Sequence, residues 1–249
     1  MKNIQGDQIA LFLSGQDVPV PECNIIIHQP TIKQVVLFKE TNFLTAVSLW
    51  GDIPTVTKQV RDSNPMADNY SDFQILMALM NQDPTLQNSV DSLFKLIFPR
   101  YNVEVTDSEI HFYDGERRVG VVHDRNYLAL GNIIDALFSL PNKDKDYNPA
   151  NEKAFKIAEK FKERAKKLAS MKGKTETTAT LFGTYVSILS VGMNIDINTL
   201  WEYTPFQLYD TFIRYWKKSG SDFYQRVSTM PMMDTSKLEE PDPWTDNLY

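Results

Sequence analysis

Residues 101–124, YNVEVTDSEIHFYDGERRVGVVHD, decide the fold class, because the spacing of apolar residues changes here from helical to alternating. Thr-Asp-Ser at 106–108 and Asp114-Gly115 have the composition of tight turns. Alternation broken by turns is typical of antiparallel strands. The segment therefore predicts a small β-meander over about residues 102–122. Its alternating apolar residues are Val103, Val105, Ile110, Phe112, Val119 and Val121.

The chain before the meander has helical spacing. Thr31 and Gln34 form a T-x-x-Q capping box, which predicts a helix of about 18 residues beginning at Thr31. Gly51, Pro54 and the Ser-Asn-Pro at 63–65 punctuate the chain that follows. Helical spacing then returns, so that three further helices are predicted around the meander. They are MADNYSDFQILMALMNQ, PTLQNSVDSLFKLIF and, after the meander, RNYLALGNIIDALFSL.

The pattern as a whole predicts a predominantly helical α+β protein with one small antiparallel sheet and a helical C-terminal half. The polar stretch PNKDKDYNPAN has the composition of a linker. The predicted division is an N-terminal arm at 1–22, an α+β domain at 23–140, a linker at 141–151, a helical domain at 152–233 and a flexible acidic C-terminal tail at 234–249.

Composition limits the class of protein. The chain has 249 residues, 42% of them hydrophobic, and its longest apolar runs fall short of the ~20 residues that a membrane helix needs. We expect a soluble protein without a signal peptide and without a membrane partner. Cys23 is the only cysteine, so the expected compartment is a reducing cytoplasm.

The net charge of −6 argues against general affinity for nucleic acid. Residues 152–174 are an exception, with nine Lys and Arg against three Glu, a local charge of +6. Their apolar residues recur at helical spacing, which predicts an amphipathic helix. Two interpretations of its basic face stay open, a solvated outer surface or a surface for an acidic partner or nucleic acid.

The stretch WEYTPFQLYDTFIRYW, residues 201–216, contains seven aromatic side chains in sixteen positions. Thr204 and Gln207 form a second capping box, Asp210 and Arg214 are spaced for an ion pair, and Gly220 can end the helix. The aromatic side chains cover more of the helix than one neighbour can bury. They are therefore either core between two neighbours or a surface that binds a partner. The candidate partner-binding residues are Trp201, Phe206, Tyr209, Arg214, Tyr215 and Trp216.

The segment MPMMDTSKLEEPDPWTDNLY, which contains the acidic tail, is broken by prolines and has too few apolar residues for a core of its own. Its anchors Trp244, Leu248 and Tyr249 complete the set of candidate partner-binding residues. Such a segment either docks as a linear motif on this chain or another, or folds back as a simple tail.

No catalytic, metal or cofactor site is predicted. His28, His111 and His123 are far apart in the sequence, and none has a second His or Cys at ligand spacing. The ten glycines form no phosphate-binding loop and no nucleophile elbow. Cys23 and His28 are a poor nucleophile pair, because a proline-flanked strand lies between them.

Three segments carry a resemblance to a known family. They are NIIIHQPTIKQVVLF, the block LSVGMNIDINTLWEYTPFQLYDTFIRYWKKSGSDFYQRV and the acidic tail with its Pro-Trp. They resemble the tail assembly chaperones of tailed bacteriophages, in particular the baseplate hub assembly proteins of T-even-like phages. The resemblance covers roughly residues 24–50 and 185–249; residues 1–22 and 152–174 have no counterpart. In the C-terminal block it rests on Thr204, Phe206, Gln207, Leu208, Asp210, Arg214 and Tyr215.

The resemblance implies a non-enzymatic assembly factor. Such a protein binds the phage tape measure or baseplate hub protein in the host cytoplasm, prevents its aggregation and is absent from the mature virion. The aromatic helix would be the binding groove and the tail a latch, with the Met-rich ILMALM and MPMM segments as adaptable apolar surface. The alternative is a structural virion protein of the baseplate or tail connector. A homo-oligomer also stays open.

Overall fold

The predicted meander is present in the structure, a computed structural model that describes residues 6–139, 180–230, 241 and 243–245. Two strands, β1 (Val18–Val20) and β2 (Ile25–Ile27), precede it in the chain. The meander consists of β3 (Asn102–Val105), β4 (Ile110–Asp114) and β5 (Arg117–Val122), paired antiparallel in that order. Val103 lies opposite Phe112, and Phe112 lies opposite Gly120. Gly115, at φ +61°, provides the positive φ that the β4–β5 turn requires. The predicted fold class, predominantly helical α+β, is confirmed.

The N-terminal region is more ordered than the predicted arm. Residues Gly6–Ser14 form helix α1, and β1 (Val18–Val20) pairs antiparallel with β2 (Ile25–Ile27) after a 3-10 turn. Phe12, Val18 and Val20 are buried. The described part of residues 1–22 therefore contributes to the core. The segment VPVPE forms an edge strand and a turn, and the strand tolerates Pro19 because this residue faces solvent.

The helices of the N-terminal part pack mainly on one another. Pro54, expected only to punctuate the chain, lies in the first turn of α4, where its missing N–H costs nothing. Asp83 caps α6, with its carboxylate accepting from the backbone N–H of Thr85 at 2.8 Å. The helices are α2 (Ile32–Leu37), α3 (Glu40–Gly51), α4 (Ile53–Ser63), α5 (Asp72–Gln82), α6 (Pro84–Ile97) and α7 (Tyr127–Phe138).

The predicted helix of 18 residues from Thr31 is in fact two helices. Its capping box is confirmed, since Thr31 Oγ1 accepts from Gln34 N and Gln34 Oε1 accepts from Thr31 N. The helix ends at Leu37, and Lys39 has φ +69°. On one side of the bend α2 contacts the short helix Ile197–Trp201, and on the other side α3 packs on α6 and α7.

The core lies where α3 packs against α6 and α7. A chain of aromatic rings connects these helices to the meander. The ring centroids are 5.4 Å apart for Trp50 and Phe94, 5.6 Å for Phe94 and Phe98, and 4.8 Å for Phe98 and Phe112. Gly131 of α7 lies so close to the carbonyl of Trp50 that an added Cβ would be 2.8 Å from that oxygen. A small residue is therefore needed at this helix crossing.

The described C-terminal residues form α8 (Leu181–Met193), α9 (Ile197–Trp201) and α10 (Pro205–Ser228). Helix α10 packs on α1, where the rings of Phe12 and Phe206 are 5.3 Å apart, and the N–H of Ile32 donates to the carbonyl of Tyr203. The described residues within 1–139 and 185–249 thus form one compact unit. The predicted linker at 141–151 and the lysine-rich segment at 152–174 lie outside the described residues.

The sequence predicted that Gly220 ends helix α10, but in the structure it does not. The helix continues to Ser228, and the Lys218 ammonium pairs with the Asp222 carboxylate at 3.1 Å across the glycine. A glycine inside a helix costs about 1 kcal/mol relative to alanine. That cost is small compared with the stabilisation from the helical hydrogen bonds on either side, so the helix continues through Gly220.

Candidate protein-binding surface

The start of α10 is fixed by local hydrogen bonds. Thr204 Oγ1 accepts from Gln207 N at 3.3 Å, and Gln207 Oε1 accepts from Thr204 N at 2.9 Å, which confirms the second capping box. Gln207 also donates from Nε2 to the carbonyl of Leu13 at 2.7 Å. The helix thus has a defined first residue and a defined rotation against α1, and this rotation decides which aromatic side chains face solvent.

The first turn of α10 faces the core. Phe206 is 3% exposed and Tyr209 is 4% exposed. Burial raises the pKa of the Tyr209 hydroxyl well above its usual value. Phe206 and Tyr209, two of the predicted partner-binding residues, are therefore core residues in the structure and present no surface to a partner.

The middle of α10 packs on α8. The ring of Tyr185 is stacked on Phe212 at 4.2 Å with an interplanar angle of 25°. Tyr215 lies against Gly192, where an added Cβ would overlap the tyrosine hydroxyl group. Tyr215 is therefore only partly exposed, and its ring forms the joint between the two helices. Trp201, at the end of α9, is likewise half-buried.

Three exposed large apolar side chains, two on the outer face of α10 and one just after its end, are spaced seven positions apart. Trp216 is 60% exposed, Phe223 62% and Met230 49%. Since seven residues are almost two helical turns, Trp216 and Phe223 lie on one side of the helix, and Met230 follows just after its last turn. We call these three residues the α10 stripe. Sequence reasoning named Trp216 but missed Phe223 and Met230, although the seven-residue spacing was visible.

A second exposed apolar set lies at the end of α8 and the start of α9. Val191 is 84% exposed, Met193 44% and Ile197 45%. Gly192 lies between the first two of these residues and contacts Tyr215, the neighbour of Trp216. The second set is therefore carried in part by α8, the helix that packs on the Tyr215 side of α10. Clustered apolar surface of this kind marks binding sites for other molecules more often than single exposed residues do.

Charge on α10 connects the helix to the tail. Asp210 is 6% exposed, and its Oδ2 accepts from Arg214 Nε at 3.1 Å, which confirms the predicted pair. The same guanidinium donates from Nη1 to the carbonyl oxygen of Trp244 at 3.1 Å. Arg214 and Trp244, both predicted site residues, are thus in direct contact. Leu248 and Tyr249 lie outside the described residues.

An apolar cleft of about 560 Å³ lies between α3, α4, α5 and α6. Sequence reasoning missed this cleft because it did not predict α4, although Val56 and Val60 are one helical turn apart. Its lining contains neutral polar and aliphatic side chains, namely Thr45, Ser48, Leu49, Val56, Gln59, Val60, Ser63, Asn64, Leu79 and Leu86. The Met-rich ILMALM segment, expected to provide adaptable surface, is mostly buried, with Met77 at 1% and Met80 at 2% exposure.

The titratable residues considered for chemistry are held by structural contacts. Burial raises the pKa of the Cys23 thiol to about 11, with the nearby Glu22 carboxylate adding to the shift, so the thiolate nucleophile is disfavoured. Cys23 lies by His123 in a small cleft, while His28 Nδ1 is 2.9 Å from the Asp17 carboxylate. Within residues 6–139 and 180–230, no group of three or more His, Cys, Asp and Glu could hold a metal ion.

No helix in the described part of the chain combines the length and hydropathy needed to cross a bilayer. Residues 173–249 match a family model described as the YomV second domain, a phage-associated family. The match contains α8, α9, α10 and the tail, so it covers both exposed apolar sets and the Arg214–Trp244 contact. It supports a phage origin for this part of the chain. Searches of curated proteins and of solved structures found no significant match.

Proposed function

We propose that the chain is a phage assembly chaperone that binds the tape measure or baseplate hub protein and prevents its aggregation during tail assembly. The observation that carries the proposal is the α10 stripe, in which Trp216, Phe223 and Met230 present apolar side chains to solvent within the phage-related part of the chain. A protein that holds another protein in solution needs such a surface.

The composition of the surface fits transient binding. Trp and Phe supply rigid contact area of the kind that dominates interface energies, and Met adapts to different partner shapes. Val191, Met193 and Ile197 are further exposed apolar side chains in the same part of the chain. The partner that fits such a helical surface is an amphipathic helix whose apolar residues recur at three- and four-residue spacing.

The proposal assigns no enzymatic activity and no cofactor. In the proposed role the protein acts in the host cytoplasm and leaves before the virion is complete. The α10 stripe would equally serve a permanent interface, so a structural virion protein of the baseplate or tail connector is the second candidate. Mass spectrometry of purified particles separates the two, because a chaperone is absent from particles and a structural protein is present in stoichiometric amount.

The test of partner binding is co-purification of the tape measure or hub protein with the full chain from infected cells. Phe223→Ala should weaken capture by more than about 2 kcal/mol, which is roughly thirtyfold in Kd, with little change in the thermal melt. Phe38→Ala is the matched control, because Phe38 is also exposed, at 44%, and lies at the end of α2. Equal capture by wild type and Phe223→Ala would exclude the α10 stripe as the binding site.

A further inference from the structure

Among the described residues, Trp244 of the tail contacts α10 at Arg214. The buried Asp210 carboxylate accepts from Nε of Arg214, and this leaves Nη1 directed to the Trp244 carbonyl oxygen at 3.1 Å. Because Asp210 fixes the guanidinium plane, the donor to the tail is positioned before the tail arrives. A single charge-assisted hydrogen bond to a prepared donor is stronger than one to a free arginine.

The length of the chain allows the tail to return along α10. From Arg214 to Ser228 the helix rises about 21 Å, at 1.5 Å per residue. The sixteen positions from Ser228 to Trp244 span at most about 53 Å when extended. The tail therefore reaches Arg214 with more than twofold excess length.

Charge favours the same arrangement. Residues 231–249 contain five Asp and Glu against one Lys. The part of α10 from residue 211 onward contains four basic side chains and one acidic side chain, Asp222. The basic residues are Arg214, Lys217, Lys218 and Arg226. An acidic segment tethered to the end of a basic helix is attracted to that helix, and tethering adds an effective concentration in the millimolar range.

We propose that the tail around Trp244 is a tethered competitor that occupies the Arg214 position on α10 in the free protein and is displaced by the partner. This inference rests on the proposed function, because it concerns regulation of the same surface. Trp216 and Phe223 stay largely exposed while Trp244 is docked. A partner helix therefore makes first contact with the α10 stripe, and must remove Trp244 to lie along the whole of α10.

The docked tail can be detected without any partner. Cys23 is buried and its thiol has a raised pKa, so a Thr245→Cys variant can carry a spin label at residue 245 alone. The tryptophans of this protein are replaced by fluorotryptophan and observed by fluorine NMR. The spin label at residue 245 should broaden the signal of Trp216 and should leave the signal of the core residue Trp50 unchanged. Salt at about 0.5 M should restore the Trp216 signal, because the attraction is screened.

Arg214→Lys is the conservative variant for this measurement. A lysine ammonium keeps the charge but cannot hold Asp210 and the Trp244 carbonyl in one fixed plane. Broadening at Trp216 should therefore decrease while the thermal melt stays close to that of wild type. If the Trp216 signal of the spin-labelled, otherwise wild-type protein is not broadened at low salt, the proposal that the tail is a tethered competitor is refuted.

The consequence for binding is tested with the tape measure or hub protein as the ligand. Deletion of residues 235–249 should raise the affinity about three- to tenfold, since a tail docked in nine molecules of ten weakens binding tenfold. A synthetic peptide of residues 235–249, added to the deleted chain, should reverse the gain. If the affinity after deletion is equal to or weaker than that of the full chain, the proposal that the tail competes with the partner is refuted. If neither chain captures the partner, the proposed function fails, whereas the spin-label result still decides tail docking.

Discussion

Gly120→Ala tests the packing of the two sheets. In the structure Gly120 of β5 faces the turn that joins β1 and β2. An added Cβ would overlap Cγ2 of Ile25 and would lie 2.6 Å from the Cys23 carbonyl oxygen and 3.0 Å from that of Asn24. Two of these three neighbours are backbone atoms, which cannot rotate away as a side chain can.

The cost of this overlap is at the upper end for an overpacked core. Inserting a methyl group into a close-packed site costs about 1–3 kcal/mol, and rigid carbonyl neighbours place Gly120→Ala near 3 kcal/mol. For a chain of this size, that corresponds to a decrease in Tm of roughly 6–12 °C. The assay is a thermal melt followed by circular dichroism, together with urea unfolding for the free energy.

Gly220→Ala is the matched control because it is the same chemical change in open space. No atom lies within 4 Å of the added Cβ, and the residue is exposed inside α10. This variant should gain about 1 kcal/mol from helix propensity. A Gly120→Ala protein that melts at the wild-type temperature would refute the close packing of β5 against the 3-10 turn.

Three further predictions follow from described contacts. Phe206→Ala should cost about 3–5 kcal/mol of unfolding free energy in a urea titration, because its ring packs on Phe12 in the core; a loss below about 1 kcal/mol would contradict that burial. Gly192→Ala should displace the Tyr215 ring and change the near-ultraviolet dichroism; an unchanged spectrum would argue against the α8–α10 joint. Cys23 should react with a thiol reagent at pH 8 far more slowly in the folded than in the urea-unfolded chain, and equal rates would contradict its burial. Because its folded pKa is raised from 9.0 to about 11, its contribution to stability is complete below pH 9 and is lost as the pH rises to about 11.

Local signals in the sequence predicted the elements that depend on neighbouring residues. Both capping boxes, at Thr31 and Thr204, involve atoms three residues apart, and both formed as expected. The alternation over residues 102–122 likewise predicted the meander, and in β4 it correctly indicated Ile110 and Phe112 as the buried residues. In β5 the buried residues are instead Gly120 and Val122, whereas Val119 and Val121 are half-buried. The break at Lys39 was not predictable in this way, since it depends on which helices α2 and α3 contact.

The candidate site was predicted less well, because exposure is decided by distant parts of the chain. Phe206 and Trp216 have similar local surroundings, yet Phe206 is buried because α1 packs over it. The pattern gave no indication that Phe12, almost two hundred positions earlier, would supply that cover. The Asp210–Arg214 pair was predictable from spacing, whereas its extension to Trp244 required the position of the tail.

The double role of Gln207 has a consequence for synthesis on the ribosome. Its side chain caps α10 and also holds the carbonyl of Leu13, 194 positions earlier in the chain. At about 5–20 residues per second, roughly 10–40 s pass between translation of these two residues. During that time Phe12 has no Phe206 to pack against. Completion of this part of the core must therefore wait until Gln207 has left the ribosome, and a nascent chain stalled before that point leaves Phe12 of α1 without its cover.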